Sequence, residues 1–160
     1  MKTILAPLDF SEMSNLVVTE AATLARAIGA RVVLLTIIQQ PAISLETMAV
    51  IGSIPEIEEK GERYAGRQLA AYEAQLAADG IETLSRRFYG GPIEHITEQA
   101  ALLAADYIVM GSHGHSAFYD LLVGSTTHGV LLRASCPVVI VPAVKPAKPA
   151  APPEAAHAAV

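Results

Sequence analysis

The chain has 160 residues, of which 52% are hydrophobic and 17% charged, and its formal net charge is −5. This length favours one domain with a core large enough to fold without disulfides or metal ions. The acidic balance, with no clusters of Lys and Arg, argues against a nucleic-acid-binding surface. The single cysteine, Cys136, excludes an intrachain disulfide.

The sequence also argues against a membrane role. The N-terminal run reaches Pro7 and Asp9 before an apolar stretch of about seven residues, the minimum for a secretory signal, can form. The most apolar runs, residues 31–38 and 138–141, are far shorter than the roughly 18 residues of a membrane-spanning helix. We therefore expect a soluble, cytoplasmic protein.

Five short runs rich in β-branched residues predict strands. In chain order they are residues 3–8, 31–38, 82–89, 107–110 and 138–141. The first two are continuously apolar rather than alternating, which is typical of strands buried on both faces of a sheet.

Four helical patterns separate these strands. The first covers residues 11–28, with Ser11 or Ser14 as the N-cap and Gly29 as the stop. The second covers residues 56–78 and ends at Asp79–Gly80. Four of its residues are predicted to face the core: Tyr64, Leu69, Tyr72 and Leu76. The third opens at Gly90-Gly91-Pro92, because proline suits the first helical position, and the fourth covers residues 126–134.

The alternation of strands and helices predicts an α/β fold, an open five-stranded parallel sheet with helices on both faces. In such sheets ligands bind at the carboxyl ends of the strands. Residues 39–54 interrupt the alternation of strands and helices and show neither a helical nor a strand period. We interpret them as an excursion after the second strand that could serve as a lid. We assign the folded domain to residues 1–142, and the Pro/Ala-rich residues 143–160 to an extended or disordered tail.

The most informative motif lies between the fourth strand and the fourth helix. Gly111-Ser112-His113-Gly114 is followed, after nine residues, by Gly124-Ser125-Thr126. Glycines allow the backbone to approach a ligand closely, and the N–H groups at a helix start suit a phosphate. One glycine pair would indicate only a turn, but two clusters that bracket one loop favour a phosphate-binding loop.

This motif resembles the pattern G-x2-G-x9-G-S/T of the nucleotide-binding branch of the universal stress protein family. Further matches are residues 4–11 (ILAPLDFS), Gly91-Pro92 and residues 135–141 (SCPVVIV). The resemblance covers about residues 1–142. It implies the strand order 3-2-1-4-5, ATP as the bound cofactor, a homodimer through the fifth strand, and a regulatory role in the stress response. Mg²⁺ can arrive with the nucleotide, because phosphates, water and few protein oxygens are enough to hold it.

The resemblance also assigns the binding residues by motif. Those implied at adenine are Pro7, Asp9 and Ile37; those at the ribose are Met110 and Gly111; those at the phosphates are Gly114, Gly124, Ser125 and Thr126. Asp9 has an alternative role as a cap for the helix that begins near Ser11, and the two roles are compatible. The family often carries Arg or Lys at the position of His115. Because a histidine is mostly neutral at pH 7, we expect a lower affinity for a triphosphate.

Other functional classes fit the sequence less well. His113 and His115 lack the third ligand that a zinc site needs, so we assign no metal site. No P-loop lysine or evident arginine finger is present, so the alternative function, an ATPase at the same site, would be slow. A phosphorelay receiver would need an acceptor Asp and a Lys where Gly90 and Pro142 stand, and a dinucleotide oxidoreductase would need G-x-G-x-x-G after the first strand.

Overall fold

A computed structural model describes residues 1–38, 54–112 and 123–143 of the chain. The described elements, in chain order, are β1 (Lys2–Leu8), α1 (Glu12–Ile28), β2 (Ala30–Ile38), α2 (Ile54–Ala78), β3 (Thr83–Tyr89), α3 (Pro92–Leu102), β4 (Tyr107–Gly111), α4 (Ser125–Leu131) and β5 (Val138–Val141). The strands form one sheet in the order β3-β2-β1-β4-β5, and every neighbouring pair is parallel. The predicted fold class and strand order are confirmed.

The strand register brings the carboxyl ends of the central strands to one edge of the sheet. Leu8 of β1 pairs with Thr36 of β2, and Gly111 of β4 pairs with Val141 of β5. Because all five strands run in the same direction, the segments that follow them converge on this edge.

Helices cover both faces of the sheet and divide the core in two. On one face, Ile4 and Ala6 of β1 pack in a cluster with α1 and α2. On the other face, Leu5 packs in a cluster that includes Ile96 of α3 and Val130 of α4. Alternate residues of a strand point to opposite faces, which explains why a continuously apolar strand supplies both clusters.

The end of α3 adopts a helix-terminating turn that usually contains glycine. The Ala104 N–H donates to the Ala101 carbonyl at 3.0 Å and the Ala105 N–H donates to the Ala100 carbonyl at 2.9 Å, the bond pattern of a Schellman motif. Ala104 has φ 45°, a left-handed conformation that costs an L-residue with a side chain. At the end of α1 the corresponding residue is Gly29, with φ 65°.

Two predictions along the chain need correction, and two others concern residues that the structure does not describe. α2 begins at Ile54, earlier than predicted, because Pro55 is tolerated in a first helical turn. Tyr64 is 46% exposed and is not a core residue, whereas Leu69, Tyr72 and Leu76 are buried as predicted. The predicted lid, apart from Ile54, and the tail beyond Ala143 lie outside the described residues.

Candidate functional site: a pocket at the carboxyl ends of the strands

A pocket of about 610 Å³ opens at the carboxyl edge of the sheet, within the size range of about 300–1,000 Å³ that is typical of small-molecule sites. The described residues that line it are Pro7, Leu8, Asp9, Phe10, Met13, Ser14, Val17, Thr36, Ile37, Ile38, Gly61, Tyr64, Ala65, Pro92, Ile96, Met110, Gly111, Gly124, Ser125, Thr126 and Thr127. They come from the ends of β1, β2 and β4 and from all four helices.

The strand order explains why the pocket lies here. The chain moves outward from β1 through β2 to β3, and then returns to the other side of β1 to add β4 and β5. The connecting helices therefore cover one face before this reversal and the other face after it. A crevice forms between β1 and β4, where the helices diverge, and this is the usual ligand position in open α/β sheets.

Asp9 organises the turn between β1 and α1 at one side of the pocket. Its Oδ1 accepts hydrogen bonds from the Ser11 N–H at 3.0 Å, the Ser11 hydroxyl at 2.6 Å and the Ser14 hydroxyl at 3.2 Å. Ser11 stands at the N-cap position, but its side chain makes no capping bond to the helix. The carboxylate of Asp9 thus fixes the start of α1 while the residue, which is exposed, also lines the pocket.

The ends of β2 and β4 supply apolar surface to the pocket. Met110 is only 5% exposed, and Ile37 is half-buried. The buried Thr36 hydroxyl donates to the Leu8 carbonyl at 2.9 Å, which ties the ends of β1 and β2 together.

The start of α4 is held beside the end of β4 by hydrogen bonds from both backbone and side chain. The Gly124 N–H donates to the Ser112 carbonyl at 2.7 Å, and the buried Thr127 hydroxyl donates to the Gly111 carbonyl at 2.8 Å. Ser112 also links the end of β5, because its N–H donates to the Val141 carbonyl at 2.8 Å. These bonds place the first turn of α4, with its hydroxyl groups, at the pocket.

Eight of the nine residues predicted from the sequence as binding residues line this one pocket, and they are Pro7, Asp9, Ile37, Met110, Gly111, Gly124, Ser125 and Thr126. The ninth, Gly114, lies outside the described residues, as do His113 and His115. Sequence reasoning did not select Phe10 or Tyr64 for the site. The sequence offers one signal at Tyr64, which is out of phase with the buried residues Leu69 and Leu76 of α2.

The described lining of the pocket carries little charge. Asp9 is the one charged residue among the lining residues given above. In the described part of the chain no group of three or more His, Cys, Asp or Glu side chains is arranged to hold a metal ion. Cys136 lies away from the pocket lining, and burial raises the pKa of its thiol.

The fold and the pocket define an open α/β protein with a ligand crevice at the reversal of strand order. The sequence profile of the universal stress protein family matches residues 1–142, and the chain belongs to this family. In the described residues, no helix combines the length and the low polarity that crossing a bilayer requires.

Individual relatives are similar over most of the chain. Universal stress protein MJ0577 of Methanocaldococcus jannaschii is 27% identical over 152 residues, covering 88% of this chain and 94% of the relative. The solved structure of MJ0577 superposes with a TM-score of 0.80 and covers 91% of this chain and 98% of that one.

Two further solved structures of the same fold contain nucleotides. One is a universal stress protein in complex with cAMP, 23% identical, with a TM-score of 0.65 and coverage of 88% of this chain and 95% of that one. The other is a universal stress protein from Archaeoglobus fulgidus in complex with dAMP, 20% identical, with a TM-score of 0.61 and coverage of 88% and 97%.

Proposed function

We propose that this protein binds ATP, accompanied by Mg²⁺, in the pocket at the carboxyl ends of its strands, and that nucleotide occupancy changes its conformation or assembly as part of a stress response. The observation that carries the proposal is the convergence of eight motif residues on one pocket of suitable size. The complexes of two similarly folded proteins with cAMP and dAMP make an adenine nucleotide the ligand class to test.

The base end of the proposed site is formed by β1 and β2. Pro7 and Ile37 offer apolar surface to a flat ring, and the carboxylate of Asp9 can accept a hydrogen bond from the exocyclic amine of adenine. Asp9 keeps its bonds to the start of α1 in this arrangement, so its position is fixed before ligand arrives.

The phosphate end of the proposed site is formed by the end of β4 and the start of α4. Met110 and Gly111 would contact the ribose. Ser125 and Thr126 supply hydroxyl donors, and the first N–H groups of a helix have no acceptor within it. Gly114 is assigned to the phosphates by the motif alone.

Calorimetry with ATP and adenosine tests this assignment. A Ser125→Ala, Thr126→Ala double variant should bind ATP more weakly, by roughly a factor of ten for the lost hydroxyl contacts, and should bind adenosine as the parent does. Ser135→Ala, an exposed serine outside the pocket lining, is the matched control. If the parent binds neither ATP nor adenosine, the proposed function is wrong.

We propose binding rather than rapid hydrolysis, because phosphoryl transfer needs positive charge at the transferring group. The described lining of the pocket contains no Lys or Arg. Turnover should be far below the roughly 1–100 s⁻¹ of kinases, and ATP mixed with an equal amount of protein should remain intact over many minutes. Rapid phosphate release by the parent that the Ser125→Ala, Thr126→Ala variant abolishes would favour the ATPase instead.

The proposed assembly is a homodimer through β5, an edge strand of the sheet. The carbonyls of Pro137 and Val141 accept bonds from β4 and from Ser112, the residue after it. The intervening Val138 and Ile140 therefore direct their backbone groups toward the open edge. Unpaired edge groups with apolar side chains favour pairing with another strand. Light scattering at about tens of micromolar, where such association is usually visible, should report a dimer, and a monomer would contradict this proposal.

A further inference from the structure

Two aromatic residues form a pair at the mouth of the pocket. The rings of Phe10 and Tyr64 meet edge to face, with centroids 5.7 Å apart and planes at 88°. Both residues line the pocket. Phe10 is half-buried, whereas Tyr64 leaves 46% of its surface exposed, so part of the phenol ring is uncovered at the pocket.

The turn after β1 directs Phe10 to this position. Asp9 accepts a bond from the N–H of Ser11, which forms an Asx-turn with Phe10 at its centre. Phe10 has φ 60°, a conformation that bulky residues rarely adopt. The turn therefore fixes the backbone from which the Phe10 ring contacts Tyr64, and the pair does not depend on a flexible loop.

Tyr64 is carried by α2, which passes beside the end of β2. Gly61, one helical turn before Tyr64, is in ordinary contact range of that strand, since a Cβ built on it would be 3.8 Å from Cγ2 of Ile38. The lining residues of α2 and α1 near the pair include the apolar Ala65, Met13 and Val17, and Ser14 is the polar exception. An uncharged, flat and polarisable group would suit this surface better than a phosphate.

We propose that the Phe10–Tyr64 pair packs against the base of the bound nucleotide and gives the site its preference for ligands that carry a purine. Aromatic side chains that pack on a nucleobase contribute to the affinity for the ligand, and this contribution does not depend on contacts to the phosphates. The proposal rests on the proposed function, since it concerns the same pocket, but it adds two residues that the family motif does not assign.

Substitution of Tyr64 tests the proposal by calorimetry with ATP, adenosine and ribose 5-phosphate. Tyr64→Leu should weaken ATP and adenosine alike, by about tenfold, and Tyr64→Phe should retain the parent affinity because it keeps the ring. Tyr89→Leu is the matched control: Tyr89 is 40% exposed and bonds to Glu62 of α2 at 2.7 Å, but it does not line the pocket. Ribose 5-phosphate, which has no base, should bind all these proteins equally.

NMR on the parent protein supplies a second test that needs no variant. The adenine H2 and H8 signals of bound adenosine should shift upfield and show nuclear Overhauser contacts to the ring protons of Tyr64 or Phe10. If adenosine binds but shows no such contacts, and Tyr64→Leu and Phe10→Leu bind ATP as the parent does, the aromatic proposal is overturned and the nucleotide site stands. If the parent binds neither adenosine nor ATP, both proposals fail together.

Discussion

Ala104 occupies a backbone conformation that a glycine would adopt at lower cost, and replacing it should stabilise the protein. The residue follows the C-cap of α3 with φ 45°, and both backbone bonds of the helix-terminating turn are present. Ala104 is exposed, so removal of its methyl group sacrifices no core packing. The effect of Ala104→Gly therefore comes from backbone energetics alone.

Two opposing terms set the size of the effect. A residue with a side chain loses about 1–2 kcal/mol in the left-handed conformation, and glycine recovers this. Glycine also gives the unfolded chain more freedom, which costs about 0.4–1 kcal/mol. From the middle of each range, the free energy of unfolding should rise by about 0.8 kcal/mol, which corresponds to about 2–3 °C in the melting temperature of a domain of this size.

Urea denaturation followed by circular dichroism measures this difference. Ala101→Gly, an exposed substitution inside α3, is the matched control and should lower stability by about 0.5–1 kcal/mol. Gly29→Ala should also destabilise, because Gly29 has φ 65° with no atom within 4 Å of an added Cβ. If Ala104→Gly lowers stability as Ala101→Gly does, the left-handed turn at the end of α3 is not populated and the reasoning is wrong.

Three further predictions concern the core and the pocket. Gly129→Ala places a methyl group against the Ile93 side chain and should lower the free energy of unfolding by about 1–3 kcal/mol; unchanged denaturation curves would show that α3 and α4 are not packed this closely. Thr127→Val removes the donor to the Gly111 carbonyl and should cost about 1–2 kcal/mol, whereas Thr127→Ser should cost less, and equal losses would contradict a role for the hydroxyl. Burial raises the pKa of Tyr72 above 10.0, so the stability that its neutral phenol contributes is present below pH 10 and is lost as the pH rises through the folded-state pKa. Denaturation at about pH 9 and about pH 11 should therefore show a smaller loss for Tyr72→Phe than for the parent, and identical losses would contradict this.

The periodicity of the sequence predicted the elements because burial on one or both faces leaves a direct trace in it. Residues 32–38 are apolar except for Thr36, and the corresponding strand, β2, lies at an interior position of the sheet. The strand order itself left no such trace. It came from the resemblance to the family, since any order that buries the same residues would give the same pattern.

The inward assignment of Tyr64 was wrong because this residue is out of phase with the buried residues of α2. At about 100° per residue, roughly 80–140° separate Tyr64 from Leu69, Tyr72 and Leu76, whereas Ala65 is in phase with them and is 2% exposed. The helical period therefore places Ala65 in the core, and Tyr64 lies on an adjoining side of α2, where it lines the pocket. The period does not tell which residue of another element meets that side, so the sequence did not reveal the aromatic pair with Phe10.

The parallel sheet has a practical consequence for how the protein is attached to a surface. β1 starts beside Met1 and ends at Leu8, so seven residues separate the chain start from the pocket by about 20 Å. Ala143, by contrast, donates its N–H to the hydroxyl of Ser112 at 3.2 Å, next to the pocket residue Gly111. An immobilisation tag joined ahead of Met1 would hold the molecule with its pocket toward the solution, whereas a tag that replaced residues 144–160 would begin beside the proposed ligand site.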